Sequence, residues 1–146
     1  MEINGVAHVM LTVSNFEKCI PFYEKLLAFL GLKPVIKSDG VLYCVGGRTA
    51  IGIVRAAEPY RAERFVQNRV GLHHLCLRAR ERGDIDEAHR FLKEIGATIV
   101  HPPEEGPWAP GYYSVLFEDP DGVRLEINHV PGKGLLAPGV PPPERY

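Results

Sequence analysis

An internal repeat constrains the fold of this 146-residue chain more than any other sequence feature. The alternating stretch that begins at His8 recurs at His74, 66 residues later. Gly31 and Gly96, each placed to end an amphipathic helix, lie 65 residues apart. Each half therefore reads as a strand, a helix and three further strands. One four-stranded sheet with a single helix leaves a sheet face uncovered, so we expect the two halves to face each other and enclose a cleft.

The element boundaries follow from periodicity and turn residues. Strands are predicted at residues 7–13, 33–37, 41–45 and 48–54, and again at 71–77, 98–101, 112–117 and 123–129. Ser14 is predicted to cap the first helix with Glu17 in a capping box, and Pro21 to kink it or delay its regular part. Asp84 and Glu87 form the corresponding pair of the second helix. The whole chain, 1–146, is expected to be one domain, with module one at 5–56, a connector at 57–69, module two at 70–130 and a Pro- and Gly-rich tail at 131–146 that lies along the surface or is mobile.

The last predicted strand carries a carboxylate that needs an explanation. The sequence Asp119-Pro120-Asp121-Gly122 is typical of a tight turn, and the residues that follow it alternate between apolar and polar. Glu126 lies at the centre of this apolar strand, where an unpaired charge is costly. A solvated sheet face is the simpler interpretation of Glu126 alone. The two histidines at matching repeat positions favour a metal site instead.

Composition excludes several classes of function. The formal net charge is −1 without a basic stripe, which argues against nucleic acid as a partner. No apolar run approaches the length of a membrane span, and the first residues lack a signal-peptide pattern. Cys19, Cys44 and Cys76 lack metal-type spacing and are interpreted as reduced thiols. We therefore expect a cytoplasmic protein that binds neither nucleic acid nor a membrane.

These features resemble the vicinal oxygen chelate superfamily, which includes glyoxalase I, the extradiol dioxygenases, the fosfomycin-resistance transferases and the metal-free bleomycin-resistance proteins. The resemblance covers residues 6–130 and rests on the following motifs: His8-x-x-Leu11-x-Val13 before Phe22-Tyr23, Gly71-Leu72-His73-His74, and Gly111-Tyr112-Tyr113 leading into the Asp-Pro-Asp-Gly turn and Glu126. It implies an α+β fold of two βαβββ modules in tandem, which form a paired half-barrel sheet with a metal cleft.

The resemblance places the family's metal ligands on His8, His74 and Glu126. The position that supplies a fourth ligand in glyoxalase I corresponds to Ile51 or Gly52, and neither side chain can bind a metal. Two imidazoles and one carboxylate suit Fe²⁺ or Mn²⁺, and Zn²⁺, Ni²⁺ or Co²⁺ would also bind.

Further residues are candidates for the same cleft. His101 is a candidate acid or base beside the Pro-rich loop. The candidate substrate-binding residues are Arg124, Arg78, Cys76, Tyr112 and Trp108, of which the first three share the strand face of the ligands and Trp108 lies on a loop that could cap the cleft. Strand alternation instead places His73 in phase with Leu75 and Leu77, so it is expected to face the helix layer as a structural residue.

The leading functional prediction is a metal-dependent enzyme that acts on a small substrate with vicinal oxygens, by dioxygenase-like or by lyase or isomerase chemistry. Extradiol dioxygenases carry a tyrosine ten residues before the ligand Glu, and this chain has Leu116 there, so weak or absent turnover of catechols is expected. The alternatives are a metal-free protein that sequesters a small molecule or drug, and a thiol transferase of the fosfomycin-resistance type. A homodimer is expected, with the modules paired either within one chain or across the dimer.

Overall fold

The computed structural model describes residues 1–141 and 143, and it divides the chain after Phe65 into two compact units. Each unit contains one mixed four-stranded sheet and one α-helix. The predicted α+β class and the two βαβββ modules are therefore confirmed. Short 3₁₀-helices lie at Glu58–Tyr60 in the connector and at Gly134–Leu136 in the tail.

The first unit consists of β1 (Val9–Val13), α1 (Phe16–Phe29), β2 (Lys33–Lys37), β3 (Val41–Gly46) and β4 (Thr49–Arg55). Its strands lie in the order β1-β4-β3-β2, with β1 parallel to β4 and the other pairs antiparallel. Fully buried apolar side chains from the helix and the sheet, among them Leu26, Leu42 and Ile53, form its core.

The predicted cap of α1 is wrong by one residue. Asn15, and not Ser14, is the N-cap, because its side-chain oxygen accepts a hydrogen bond from the backbone N–H of Lys18 at 3.1 Å. An Asn caps a helix as well as a Ser does, so the sequence allowed either start. Glu17 pairs with Arg55 of β4, and the helix runs through Pro21 without a delayed start.

The second unit consists of β5 (Leu75–Arg78), α2 (Gly83–Glu94), β6 (Thr98–Glu105), β7 (Tyr113–Glu118) and β8 (Arg124–His129). Its strands lie in the order β5-β8-β7-β6, with β5 parallel to β8. The predicted capping pair of α2 is also misplaced. Arg82 is the N-cap, and the carboxylate of Asp84, inside the first turn, accepts from the backbone N–H of Glu81 at 2.9 Å.

Strand β6 continues through Pro102 and Pro103, two residues that were expected to lie in a loop. It is an edge strand, where a residue without an N–H is tolerated because one side of the strand needs no partner. Its pairing with β7 shifts register between Ile99 and His101 and again between His101 and Glu104. Such bulges re-aim side chains, and here they leave His101 opposite Leu116 of β7.

The turn before β8 is confirmed, and two hydrogen bonds to a buried side chain stabilise it. The buried carboxylate of Asp119 accepts hydrogen bonds from the backbone N–H groups of Asp121 and Val123, both at 2.8 Å. Gly122 adopts a φ of 84°, which a side chain would disfavour. This turn holds the start of β8 and therefore the position of Glu126. Across the described residues, no helix is long and apolar enough to cross a bilayer.

Candidate functional site

Strand register in the second unit brings four residues into one row across the sheet. His101 of β6 is paired with Leu116 of β7, Leu116 with Glu126 of β8, and Glu126 with Cys76 of β5. Residues in such a row share one face of a sheet. The predicted acid/base histidine, the predicted ligand Glu126 and Cys76 therefore belong to a single surface.

His74 and Glu126 approach each other on this face at a distance that suits shared coordination of one ion. His74 Nε2 lies 3.3 Å from Glu126 Oε2, and Glu126 is 7% exposed. Two ligand atoms that are each about 2.1 Å from one ion lie about 3.0 Å apart at a right angle and about 3.4 Å apart at the tetrahedral angle. The imidazole and carboxylate of the second unit therefore fit a divalent metal in spacing and in donor chemistry.

Tyr112 and Cys76 both form hydrogen bonds with the Glu126 carboxylate. The Tyr112 hydroxyl donates to Glu126 Oε1 at 2.6 Å, and the Cys76 thiol forms a hydrogen bond with Glu126. Burial, followed by the neighbouring Glu126, raises the pKa of Cys76 to about 12, and the same two causes raise the pKa of Tyr112 above its usual range. Both groups therefore stay protonated near neutral pH and stabilise the carboxylate.

The structural role expected for His73 is wrong. His73 is exposed and lies on the same pocket as His74, with its Nδ1 2.7 Å from Nδ1 of His74 and 3.3 Å from Nε2 of Gln67. Strand β5 begins only at Leu75, and Gly71 adopts a φ of 134°, so strand alternation does not extend back to residue 73. Gln67 was missed entirely, since the connector carries no pattern that points to the site.

A pocket of about 750 Å³ opens on this face of the second unit. His74, Glu126, His101, Trp108 and Tyr112 line it, together with His73, Gln67 and Leu116. Its volume is in the range of sites for small ligands. The two arginines suggested as substrate contacts are not among the residues that line this pocket. Arg124 pairs with Glu118 at 3.2 Å, and Arg78 is exposed at the end of β5 opposite Asn128.

The Nε2 atom of His101 is left as a hydrogen-bond acceptor, because the other ring nitrogen is already engaged. That nitrogen, Nδ1, lies 2.9 Å from the backbone oxygen of Pro102. A carbonyl oxygen can only accept, so Nδ1 carries the proton and Nε2 of the neutral ring carries a lone pair. This is the state that a general base needs.

The first unit shows why a fourth ligand is missing. Met10 is paired with Gly52 as Cys76 is paired with Glu126, so Gly52, and not Ile51, is the repeat counterpart of Glu126. The Met10 thioether occupies the space that a Cβ on Gly52 would need. His8 is exposed just before β1, with its ring centroid 6.5 Å from that of Tyr43.

Within residues 1–141 and 143, no group of three or more His, Cys, Asp or Glu side chains is already arranged to hold a metal ion. The set of His8, His74 and Glu126 therefore stays a prediction. His74 and Glu126, two members of this predicted set, lie at a distance that would allow both to bind one ion.

Comparison with known proteins identifies the family. The sequence profile of the Glyoxalase/Bleomycin resistance protein/Dioxygenase superfamily matches residues 5–127. This chain therefore belongs to that superfamily, as the motifs had indicated.

Relatives within the superfamily have different names. The chain is 29% identical over 126 residues to a lactoylglutathione lyase of Neisseria meningitidis, covering 82% of this chain and 86% of the relative. It is 26% identical over 126 residues to the metallothiol transferase FosB of Shouchella clausii, covering 86% and 80%. A solved structure of a candidate glyoxalase from Bacillus halodurans has a TM-score of 0.76 and 29% identity, covering 87% of this chain and 96% of that one.

Proposed function

We propose that this protein is a metal-dependent enzyme of the lyase or isomerase type that acts on a small substrate with vicinal oxygens. The observation that carries the proposal is the His74–Glu126 pair, whose facing atoms lie 3.3 Å apart on the wall of a pocket of about 750 Å³. His8 is proposed as the third ligand because the repeat makes it the counterpart of His74.

Each residue of the second unit has a distinct task in this proposal. A bound divalent ion, with Fe²⁺ or Mn²⁺ favoured, would supply Lewis-acid polarisation of two substrate oxygens. His101 would accept a proton at Nε2 from the carbon beside the polarised oxygens and return it to the neighbouring carbon. Tyr112 and Cys76 would orient Glu126 through their hydrogen bonds with its carboxylate. Trp108 would cover the apolar part of the substrate.

Proton transfer is better supported than dioxygenase chemistry. Leu116, which stands where extradiol dioxygenases have a tyrosine, is paired with Glu126 and lines the pocket. The phenol that does reach the carboxylate belongs to Tyr112, and it donates its hydrogen bond to Glu126. His101, in contrast, offers the free lone pair that proton abstraction requires.

A thiol transferase is the second candidate, because the chain is similar to the metallothiol transferase FosB. That reaction would use the same His74–Glu126 pair to activate an electrophile towards a thiol. It would not require His101 to move a proton between two carbons. The two candidates therefore differ in their dependence on His101.

Metal titration of chelator-treated protein is the first test. Wild-type protein should bind Mn²⁺, Fe²⁺ under anaerobic conditions, or another divalent ion in calorimetry, and His74→Ala and Glu126→Gln should abolish tight binding. His89→Ala, a half-buried histidine of α2, is the matched control and should bind as wild type does. Absence of binding by wild-type protein for every ion would reject the proposal and favour a sequestering protein.

The second test assigns the reaction. The metal-loaded protein is assayed for isomerisation of the methylglyoxal–glutathione adduct, for thiol addition to fosfomycin, and for oxygen uptake with catechols. The proposal expects the first activity and its loss in His101→Asn, with metal affinity unchanged. Thiol addition that survives in His101→Asn would support the transferase, and brisk oxygen uptake would support a dioxygenase.

A further inference from the structure

A short row of hydrogen-bonding side chains leads from the connector to the candidate ligand His74. Gln67 Nε2 lies 3.3 Å from His73 Nδ1, and His73 Nδ1 lies 2.7 Å from His74 Nδ1. Gln67, His73 and His74 all line the pocket that holds Glu126. The adjacent histidines meet edge to face, with ring centroids 5.0 Å apart and planes at 72°.

The chemistry of these groups decides which nitrogen carries each proton. The amide nitrogen of Gln67 can only donate, so Nδ1 of His73 must accept and its proton must lie on Nε2. His74 Nδ1 faces that same acceptor at 2.7 Å and must therefore donate. A neutral imidazole has one N–H, so Nε2 of His74 is left with a lone pair.

That lone pair faces a second acceptor. Oε1 of Glu126 accepts from Tyr112, while Oε2 lies 3.3 Å from His74 Nε2. Two acceptors at this distance repel each other unless a cation lies between them, either a second proton on the His74 ring, which would form an ion pair with Glu126, or a metal ion. Metal-bound histidines in proteins usually donate their other N–H to a neighbouring group, which fixes the tautomer and the ring orientation.

We propose that Gln67 and His73 are positioning residues that hold His74 in the tautomer with its proton on Nδ1, so that Nε2 is presented to a divalent metal beside Glu126. The proposal deepens the proposed function and rests on it for the role of the metal. Neither positioning residue touches the ion, and both act through the His74 ring.

The protonated nitrogen can be observed directly in the full-length, metal-free protein. Long-range ¹H–¹⁵N correlation spectra of ¹⁵N-labelled protein distinguish the two tautomers of each histidine. We expect a proton on Nδ1 of His74 and on Nε2 of His73. A neutral His74 ring with its proton on Nε2 instead of Nδ1 in the wild-type protein would overturn the proposal.

Matched variants of His73 separate positioning from a general structural role. His73→Leu removes the acceptor, whereas His73→Asn retains one, because the Asn side-chain oxygen reaches about as far as a histidine Nδ1. We expect His73→Leu to weaken Mn²⁺ binding by about 10–100-fold in calorimetry, as is usual when the partner of a metal-bound histidine is lost. His73→Asn should restore most of this affinity. Unchanged affinity in His73→Leu, or equal losses in both variants, would overturn the proposal.

Gln67→Leu provides a second test if His73→Leu folds poorly. Loss of the amide donor allows the shared proton to lie on either histidine, so the spectra should show a mixture of tautomers at His74. A single unchanged tautomer would count against the role of Gln67. Failure of the proposed function is distinguishable, since wild-type protein would then bind no metal while the spectra still report the tautomer of His74.

Discussion

Removal of the Tyr112 hydroxyl tests how strongly the second unit stabilises its buried carboxylate. The hydroxyl donates to Glu126 Oε1 at 2.6 Å, and Glu126 is only 7% exposed. A hydrogen bond to a charged, buried group contributes about 1.5–3 kcal/mol to stability, and loss of the donor leaves the carboxylate without that partner. Tyr112→Phe should therefore lower the free energy of unfolding by about 1.5–3 kcal/mol.

The neighbouring tyrosine offers a matched control. Tyr113 donates to the carboxylate of Asp86 at 2.9 Å, but that hydrogen bond is exposed. Substitutions at exposed positions usually change stability by less than about 0.5 kcal/mol. Tyr113→Phe should therefore remain near the stability of the wild-type protein, although both variants lose one phenolic hydroxyl.

Urea unfolding followed by far-UV circular dichroism measures both variants without relying on the single Trp. For a chain of this length, the expected loss corresponds to a fall in Tm of about 2–4 °C per kcal/mol. Metal affinity should also fall in Tyr112→Phe, by about 10–100-fold, because Glu126 loses the group that orients it. Equal unfolding free energies in the two variants would refute the view that Glu126 depends on Tyr112.

Three further predictions concern particular residues. Asp119→Ala should lower the free energy of unfolding by about 2–4 kcal/mol, because two buried N–H groups lose their acceptor. Asp119→Asn retains a side-chain oxygen and should lower it by less. Urea unfolding curves that show the larger loss for Asp119→Asn would contradict this prediction. The raised pKa of Cys76, about 12 against an ordinary 9.0, keeps the thiol protonated at pH 8. Its reaction with iodoacetamide, followed by mass spectrometry, should be roughly 1,000-fold slower in the folded protein than in urea-unfolded protein. Folded and unfolded rates within tenfold of each other would refute the raised pKa. Gly46→Ala should lower the free energy of unfolding by about 1–3 kcal/mol, since the added Cβ would lie 2.8 Å from the Gly31 backbone oxygen. The control is Gly40→Ala, where an added Cβ would meet no described atom of a non-neighbouring residue within 4 Å. Equal melting temperatures of the two variants would count against the clash.

The sequence by itself determined the tandem architecture and the order of its elements. The repeat of His8 at His74 and of Gly31 at Gly96 is local information, since each strand, helix and turn depends on residues close in the chain. The turn at Asp119 is also encoded by residues close in the chain. So is the position of Glu126 on the polar face of β8. The family assignment followed from these motifs, and the match over residues 5–127 confirmed it.

Contacts between distant residues were decided by tertiary structure alone. The row that places His101 opposite Leu116, and Leu116 opposite Glu126, depends on two register shifts in β6 that no local pattern encodes. The reach of Tyr112 to Glu126 depends on the path of the chain before β7. These arrangements are set by the pairing of strands far apart in sequence.

His73 shows the limit of sequence reasoning most clearly. Alternation predicts the direction of a side chain only where the backbone is extended, and β5 begins two residues after His73. Gly71, with its φ of 134°, allows the preceding backbone to leave that conformation. The His73 side chain therefore lies in the pocket beside His74. The alternation of side-chain directions along β5 does not predict this direction, because it applies only to the residues within the strand.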